Sequence, residues 1–371
     1  MNNSSDQRAL IANLISSNAL SSIAIPLSEG QATAIVQTAI ENGVVEQVLA
    51  NAAISKSSDC YKSLSKFATS NTIKLALIDS AALNALNALK NASIPYVVLK
   101  GFALAHTAYN KPTDRQRADV DILIDQKDKE GAAKVLEHLG FVNPRGWSPT
   151  EIVQQYSMRK VLSHGIALDF DIHTQLSNDI AVAKQFTFEE LYRNANAERL
   201  NGIPLNSKPF ALIHALLHML HHRQKGDLIK LIWFYDIHLL INNISDSERN
   251  LLLDLCANKH FSKVAAFALG LCGEYFNSNG LSDLQRDLNT HKQSTKYDYL
   301  MTINKPMGNV MQELSKRGLS FRSLKLLQEM LFPPVAELHV KYGSFNAVYA
   351  PYYYIKRIMG GLMYKLFKVK R

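Results

Sequence analysis

The most restrictive feature of this sequence is an abrupt change of period. Apolar residues recur at every third or fourth position over most of the chain, the spacing of amphipathic helices. Over residues 96–125 that spacing gives way to YVVLKGFALAHTAYNKPTDRQRADVDILID, and the second short apolar run of this stretch holds Asp119 and Asp121 one residue apart. Alternate residues of a strand project to one face. The two carboxylates therefore share that face and repel each other unless positive charge lies between them. A metal ion is the usual source of such charge.

The neighbouring segments extend the pattern. IPYVVLKG, introduced by Pro95 and stopped by Gly101, reads as a buried strand. FALAHTAY reads as a short helix, NKPTDRQR as a loop, ADVDILID as a second strand and KDKEGAAKVLEHLGF as an amphipathic helix. GIALDFDIHTQL alternates as a third strand, with Leu168, Phe170 and Ile172 on one face and Asp169, Asp171 and His173 on the other. Helical segments flank this unit. Leu10, Ile11, Leu14 and Ile15 form one stripe, and residues 5–52 are expected to make two or more short helices. SKSSDCYKSLSK reads as a polar separator before one long helix, NTIKLALIDSAALNALNALKNA, that ends near Asn91. Beyond residue 186, PFALIHALLHMLHHR, DLIKLIWFYDIHLLINNI and KVAAFALGLCGEYF are strongly apolar helices. The expected fold class is α+β, a small mixed sheet flanked by N-terminal helices and a larger C-terminal helical domain. The expected divisions are 1–92, 93–180, 181–300 and 301–371.

A D-x-D on one strand suits phosphoryl or nucleotidyl transfer. Such reactions need divalent cations more than covalent help from the protein, and hard cations need carboxylate oxygens. Asp119 and Asp121 supply two ligands, and Asp169 or Asp171 on the later strand supplies a third carboxylate as ligand or base. Gly101, at a strand-to-helix turn, lets backbone N–H groups approach phosphates, while Lys100 and Arg115 screen their charge. A formal charge of +9 and a pI near 9.2 agree with an anionic partner. Positive charge is scattered, without an aromatic-basic stripe or helix-turn-helix pattern, and this argues against nucleic acid. Cys60, Cys256 and Cys272 are distant and odd in number, which disfavours a disulfide framework and a cysteine zinc site and fits a reducing cytoplasm. Neither an export signal nor a spanning helix is expected.

These residues carry a resemblance. VVLKG, LAHTAY, the proline and arginine ahead of DVDILI, and LDFDIH resemble the uncharacterised nucleotidyltransferase family within the DNA polymerase β superfamily. The likeness extends to HALLHMLHH, LIWFYDIHLLI and LFPP…PYYYIKR, and so spans roughly residues 70–371. It implies a minimal nucleotidyltransferase core that uses an NTP donor with Mg2+ or Mn2+. By position it implies Asp119, Asp121 and Asp171 as metal ligands and catalytic carboxylates, Gly101 as the phosphate-turn glycine and Arg115 as the arginine before the pair. It also makes Lys230 and Asp236, near Trp233, cleft residues. The superfamily usually has Gly-Ser or Gly-Gly at the turn where this chain has Lys100-Gly101-Phe102, so Lys100 would replace a serine in gripping phosphate.

Other features have plainer readings. His173 at a strand end either orients a carboxylate or is structural. His214, His218, His221 and His222 lie at helical spacing but form no H-E-x-x-H, so they are read as lining a packing face or the cleft. The C-terminal YYYIKRIMGGLMYKLFKVKR mixes aromatic and basic residues and suits peripheral contact with an acidic membrane, although Gly360 and Gly361 should weaken a continuous helix there. The expected activity is transfer of an NMP group from an NTP to a small-molecule or biosynthetic acceptor, with pyrophosphate released. The alternatives are a catalytically silent nucleotide-binding regulator and a membrane-associated interaction protein. Oligomeric state and acceptor are not legible.

Overall fold

The computed structural model describes residues 4–16, 29–50, 54–144, 155–291, 294–303 and 321–367. The N-terminal helices are α1 (Ser4–Ser16), α2 (Glu29–Asn42), α3 (Val45–Ala50) and α4 (Asp59–Asn91). α4 begins inside the segment read as a polar separator. Ser58 explains the early start, because its hydroxyl accepts from the Tyr61 N–H at 3.2 Å and caps the helix.

The sheet follows, with β1 (Tyr96–Leu99), α5 (Lys100–Thr107), β2 (Asp119–Ile124), α6 (Lys129–His138), β3 (Gln155–Val161) and β4 (Ala167–His173). Strand order is β1-β2-β4-β3, with β2 and β4 parallel and the outer pairings antiparallel. The mixed sheet therefore agrees with the expected class, but it has a fourth strand. The sequence reading passed over β3 because its apolar residues, Tyr156 and Met158, alternate with Ser157 and Arg159 and give way at once to Lys160. A tight turn at Ser163–Gly165 joins it to β4, with positive φ at His164 and Gly165.

Parity sorts the two faces. Val120, Ile122, Ile124, Phe170 and Ile172 pack with α4 residues Ile78, Leu86 and Leu89 and with Leu136 of α6 in one core. The opposite face carries Asp119, Asp121, Asp169, Asp171 and His173, with Asp121 beside Asp171 and Asp119 beside Asp169 in the parallel register. The polar face looks toward the later helices. These are α7 (Ile180–Ala183), α8 (Phe188–Arg193), α9 (Lys208–Lys225), α10 (Leu231–Asn242), α11 (Asp246–Asn258), α12 (Ser262–Gly273) and α13 (Asn279–Thr290). Residues of α1–α3, including Ile11, Ile35 and Val48, share a second core with Leu216, Ile237 and Leu269 of these helices. Val97, Leu99 and Leu123 join it from the sheet. Polar links reinforce that union. Asn42, buried at the end of α2, accepts the Leu231 N–H at 3.1 Å and so caps α10 from a distant element. Gln47 donates to the Asp114 carbonyl at 2.6 Å and anchors the loop ahead of β2.

The chain ends in α14 (Phe321–Leu331), α15 (Val335–Tyr342) and α16 (Ala350–Phe367). α16 runs unbroken through Gly360 and Gly361, contrary to the expected interruption. Two glycines cost a helix about 2 kcal/mol relative to alanine, and an 18-residue helix has enough other residues to absorb that. Lys368, Lys370 and Arg371 of the tail lie outside the described residues. Among the described residues no helix is long and apolar enough to cross a membrane. All three cysteines are free and buried.

Candidate active site

The site is built on the β1–α5 junction and the face of β2. Leu99 is extended, and Lys100 then adopts φ +47°, a left-handed conformation rare for a residue with a side chain. Such strain persists only where the surroundings impose it. Here the Lys100 ammonium donates to Asp121 Oδ1 at 2.6 Å and lies 3.5 Å from His173 Nε2. His173 Nε2 also donates to Asp121 Oδ1, at 2.8 Å. Burial alone would raise the Asp121 carboxyl, but Lys100 and His173 outweigh it and hold the carboxyl well below the usual range. Burial and the Lys100 charge push His173 down, so it sits as a neutral imidazole whose orientation is set by Asp121.

Asp119 has no such partner. Its side chain reaches the open cavity, yet desolvation and then repulsion from Asp121 and Asp171 push it up to about 6, against Lys100 and Arg115. Asp171 is raised by burial, with Ser157 donating a hydroxyl hydrogen bond that opposes the rise. Asp169 is held by Arg159, which donates to its two oxygens at 2.7 and 2.8 Å. The structure thus brings Asp119, Asp121 and Asp171 into one interacting group with Lys100. Asp169 is neutralised at the sheet surface.

Arg115 is buried and its guanidinium is occupied. Nε donates to Asp236 at 2.9 and 3.1 Å and Nη2 at 2.8 Å, while Tyr109 donates its hydroxyl to the same carboxylate at 2.6 Å. Burial would lower Arg115, but Asp236 outweighs it and keeps the guanidinium charged. The ion pair fastens the loop before β2 to α10, and the charge of Arg115 reaches Asp119 only through space. Arg117 plays a similar part beneath, paired with Asp79 of α4 and donating at 2.9 Å to the Arg115 carbonyl. A side chain added at Gly101 would stand 3.6–3.7 Å from the Arg115 guanidinium, an ordinary contact, and Gly101 has no positive φ. The folded chain alone therefore does not require glycine at 101.

A cavity of about 420 Å3 opens over this group, within the size of small-molecule sites. Asp119, Asp121, Lys100, Gly101, Arg115, Lys230 and Asp236 all line it, whereas Asp171 does not. Lys230 is exposed at the N-cap of α10, and Lys74 of α4 reaches the wall from the other side. Neither makes an ion pair among the described residues. The sequence reading missed Lys74, Arg117 and Ser157, because no local pattern distinguishes them from helix-surface, loop and strand residues. His214, His218 and His222 line the cavity from α9, and His221 does not. Burial depresses His214 to about 3 and His221 to about 4.

The donor set can be tested against a divalent cation. Among the described residues no three His, Cys, Asp or Glu side chains form a ready cage. Mg2+, however, is normally held by one or two carboxylates with substrate phosphates and water supplying the rest. Asp119 and Asp121 reach the cavity together, and Asp119 is pushed up first by burial and then by the neighbouring carboxylates Asp121 and Asp171. The pair fits that mode of binding.

A mixed sheet that lifts paired carboxylates into a cation-lined cavity is the framework of a phosphate-handling transferase. The comparison with protein families agrees: the family described as uncharacterised nucleotidyltransferase matches residues 28–277. The chain belongs to that family and is a nucleotidyltransferase. The match begins at α2, ahead of the residue 70 at which the sequence resemblance was placed, and stops before the C-terminal segment. Its early start takes in Asn42, which caps α10. No curated protein matches the chain.

Proposed function

We propose that the chain transfers an NMP group from an NTP to a small biosynthetic acceptor and releases pyrophosphate, with Mg2+ or Mn2+ as cofactor. The observation that carries this reading is that Asp119 and Asp121 share a strand face and line the open cavity beside Lys100 and Gly101. An acceptor oxygen forms a bond to the α-phosphorus, and the bond from that phosphorus to the bridging oxygen breaks. Pyrophosphate leaves with the electron pair. Asp119 and Asp121 would hold the cation, which when bound neutralises triphosphate charge and favours the acceptor alkoxide. Lys100 and the free amides of the first turn of α5 receive the phosphates, and Lys230 adds a mobile cation. Asp171, in register beside Asp121 and hydrogen-bonded by the Ser157 hydroxyl, would receive the acceptor proton.

Pyrophosphate release from each of the four NTPs, with Mg2+ and with Mn2+, tests the reading. The wild type is expected to turn over, and Asp119→Asn or Asp121→Asn to lose roughly 100-fold or more. Absence of release by the wild type with every nucleotide, metal and metabolite pool tried would refute transfer. Tight NTP binding without release would instead support the regulatory alternative.

A second reading concerns where the enzyme works. Val348, Tyr352, Ile355 and Met359 form an exposed stripe along and just before α16, with Tyr352 58% and Ile355 61% accessible. The chain has no acidic residue after Glu337 but carries Lys341, Lys356, Arg357, Lys365, Lys368, Lys370 and Arg371 there. An apolar stripe within a purely cationic segment favours peripheral docking on acidic lipid. Full-length protein should float with phosphatidylserine vesicles and not with neutral ones, and Tyr352→Ser with Ile355→Ser should abolish flotation. Equal flotation of that double variant removes the helix from consideration.

A further inference from the structure

The cavity lining has two unlike parts. The proposed chemistry uses only the charged part, where Lys100, Asp119 and Asp121 meet. Three rings converge in the other. His218 and His222, four residues apart on α9, bring their rings together with centroids 4.6 Å apart and planes inclined at 61°. Trp233, in the first turn of α10, brings its indole to 4.9 Å from His218 and 4.8 Å from His222. All three line the cavity, and Trp233 remains partly accessible. Asp227 Oδ2 accepts from His222 Nδ1 at 2.8 Å and fixes that ring. Burial, followed by the Lys100 charge for His218 and opposed by Asp227 for His222, lowers both imidazoles, so the group presents uncharged π surface at neutral pH. The Lys100 charge is felt at both rings, so the ring-lined part lies within electrostatic reach of the charged part.

This polarity matches one molecule already required by the proposed reaction. An NTP carries its charge at one end and a flat, uncharged heterocycle at the other. We infer that the indole of Trp233, flanked by His218 and His222 at an angle, is the platform on which the nucleobase of the donor stacks, with a preference for purines because their larger ring system overlaps the indole more fully. The inference rests on the nucleotidyl-transfer reading and adds to it the orientation of the donor: phosphates on Lys100 and Gly101, base toward the α9–α10 wall. Lys230, three residues before Trp233 in the same turn, then stands beside the path between them. Stacking of a base on an aromatic side chain contributes about 1–3 kcal/mol and tolerates different bases. The platform therefore ranks purines over pyrimidines without strict choice among them.

The chain has two tryptophans, Trp147 and Trp233, so Trp147→Phe leaves Trp233 as the sole indole reporter. Titrating that variant with Mg-ATP should quench its emission saturably, while inorganic tripolyphosphate should compete with ATP in equilibrium dialysis and leave the emission unchanged. In the otherwise native chain, Trp233→Ala should weaken ATP binding roughly 5- to 150-fold, leave tripolyphosphate affinity unchanged, and be largely rescued by Trp233→Phe. ATP binding by dialysis without any change in Trp233 emission overturns this inference alone. So does a Trp233→Ala variant, folded by circular dichroism, that loses ATP and tripolyphosphate affinity in equal measure. If wild type binds no NTP at all, both this inference and the reading beneath it fall.

Discussion

At the scale of single residues, the site turns on which charges are already matched. Lys100 stands on Asp121, Arg159 on Asp169 and Arg115 on Asp236, whereas Asp119 and Asp171 have no ion-pair partner among the described residues. Gly101 offers the cleanest separation of folding from ligand binding. Its β-carbon would meet only ordinary contacts in the folded chain, and alanine is the better helix former by up to about 1 kcal/mol. Gly101→Ala is therefore expected to keep or slightly raise the urea midpoint while weakening NTP binding at least about tenfold, measured by dialysis. Unchanged affinity would show that no phosphate approaches this turn. Asp236→Ala should do the opposite, because it strands a buried guanidinium: a loss of about 3–5 kcal/mol in stability is expected, read from denaturant unfolding.

At the scale of elements, α10 decides the geometry of the cavity wall, since Lys230, Trp233 and Asp236 all lie in its first turns. Its N-terminus is held by Asn42 rather than by a cap from its own flank, and Lys230 at the N-cap makes no capping bond. Asn42→Ala should therefore cost about 1–2 kcal/mol and raise the KM for NTP more than it lowers kcat, as unfolding and steady-state kinetics would reveal. β1 was legible as an unbroken apolar run between Pro95 and Gly101, and β2 and β4 because apolar residues alternate with aspartates inside them. β3 was not, since Tyr156 and Met158 are its only deeply buried side chains and its edge position lets polar residues fill the rest. The start of α4 was missed for a different reason. Ser58 and Asp59 make a good cap, but their polar neighbours look like a linker until the buried Cys60 and Leu64 are seen in the core.

At the scale of the whole molecule, buried neutral histidines make stability depend on pH. His214 and His221 fall to about 3 and about 4 from an ordinary 6.5, so the unfolded chain binds protons that the folded chain refuses. Nothing is lost above pH 6.5; below it stability declines until the folded groups themselves titrate. By pH 5 the decrease should be on the order of 1–2 kcal/mol for each of the two, visible as a falling Tm between pH 7 and pH 5. His221→Gln and His214→Gln should each flatten that slope. A Tm that stays level over this range in the wild type would contradict the burial of these rings.

Composition and spacing alone determined the helix-rich α+β class, the strands that carry D-x-D and D-x-D-x-H, and the sharing of one face by Asp119 and Asp121. These follow from periods of two and of three to four residues, which are local properties of the chain. Folding in three dimensions assigned the partners. Asp236 lies 121 positions from the arginine it neutralises, Asn42 caps a helix 189 positions away, and Trp233 meets two histidines of another helix. Ion pairs and ring contacts act over a few ångströms of space, so they depend on which elements pack together, and no local pattern in the chain encodes that.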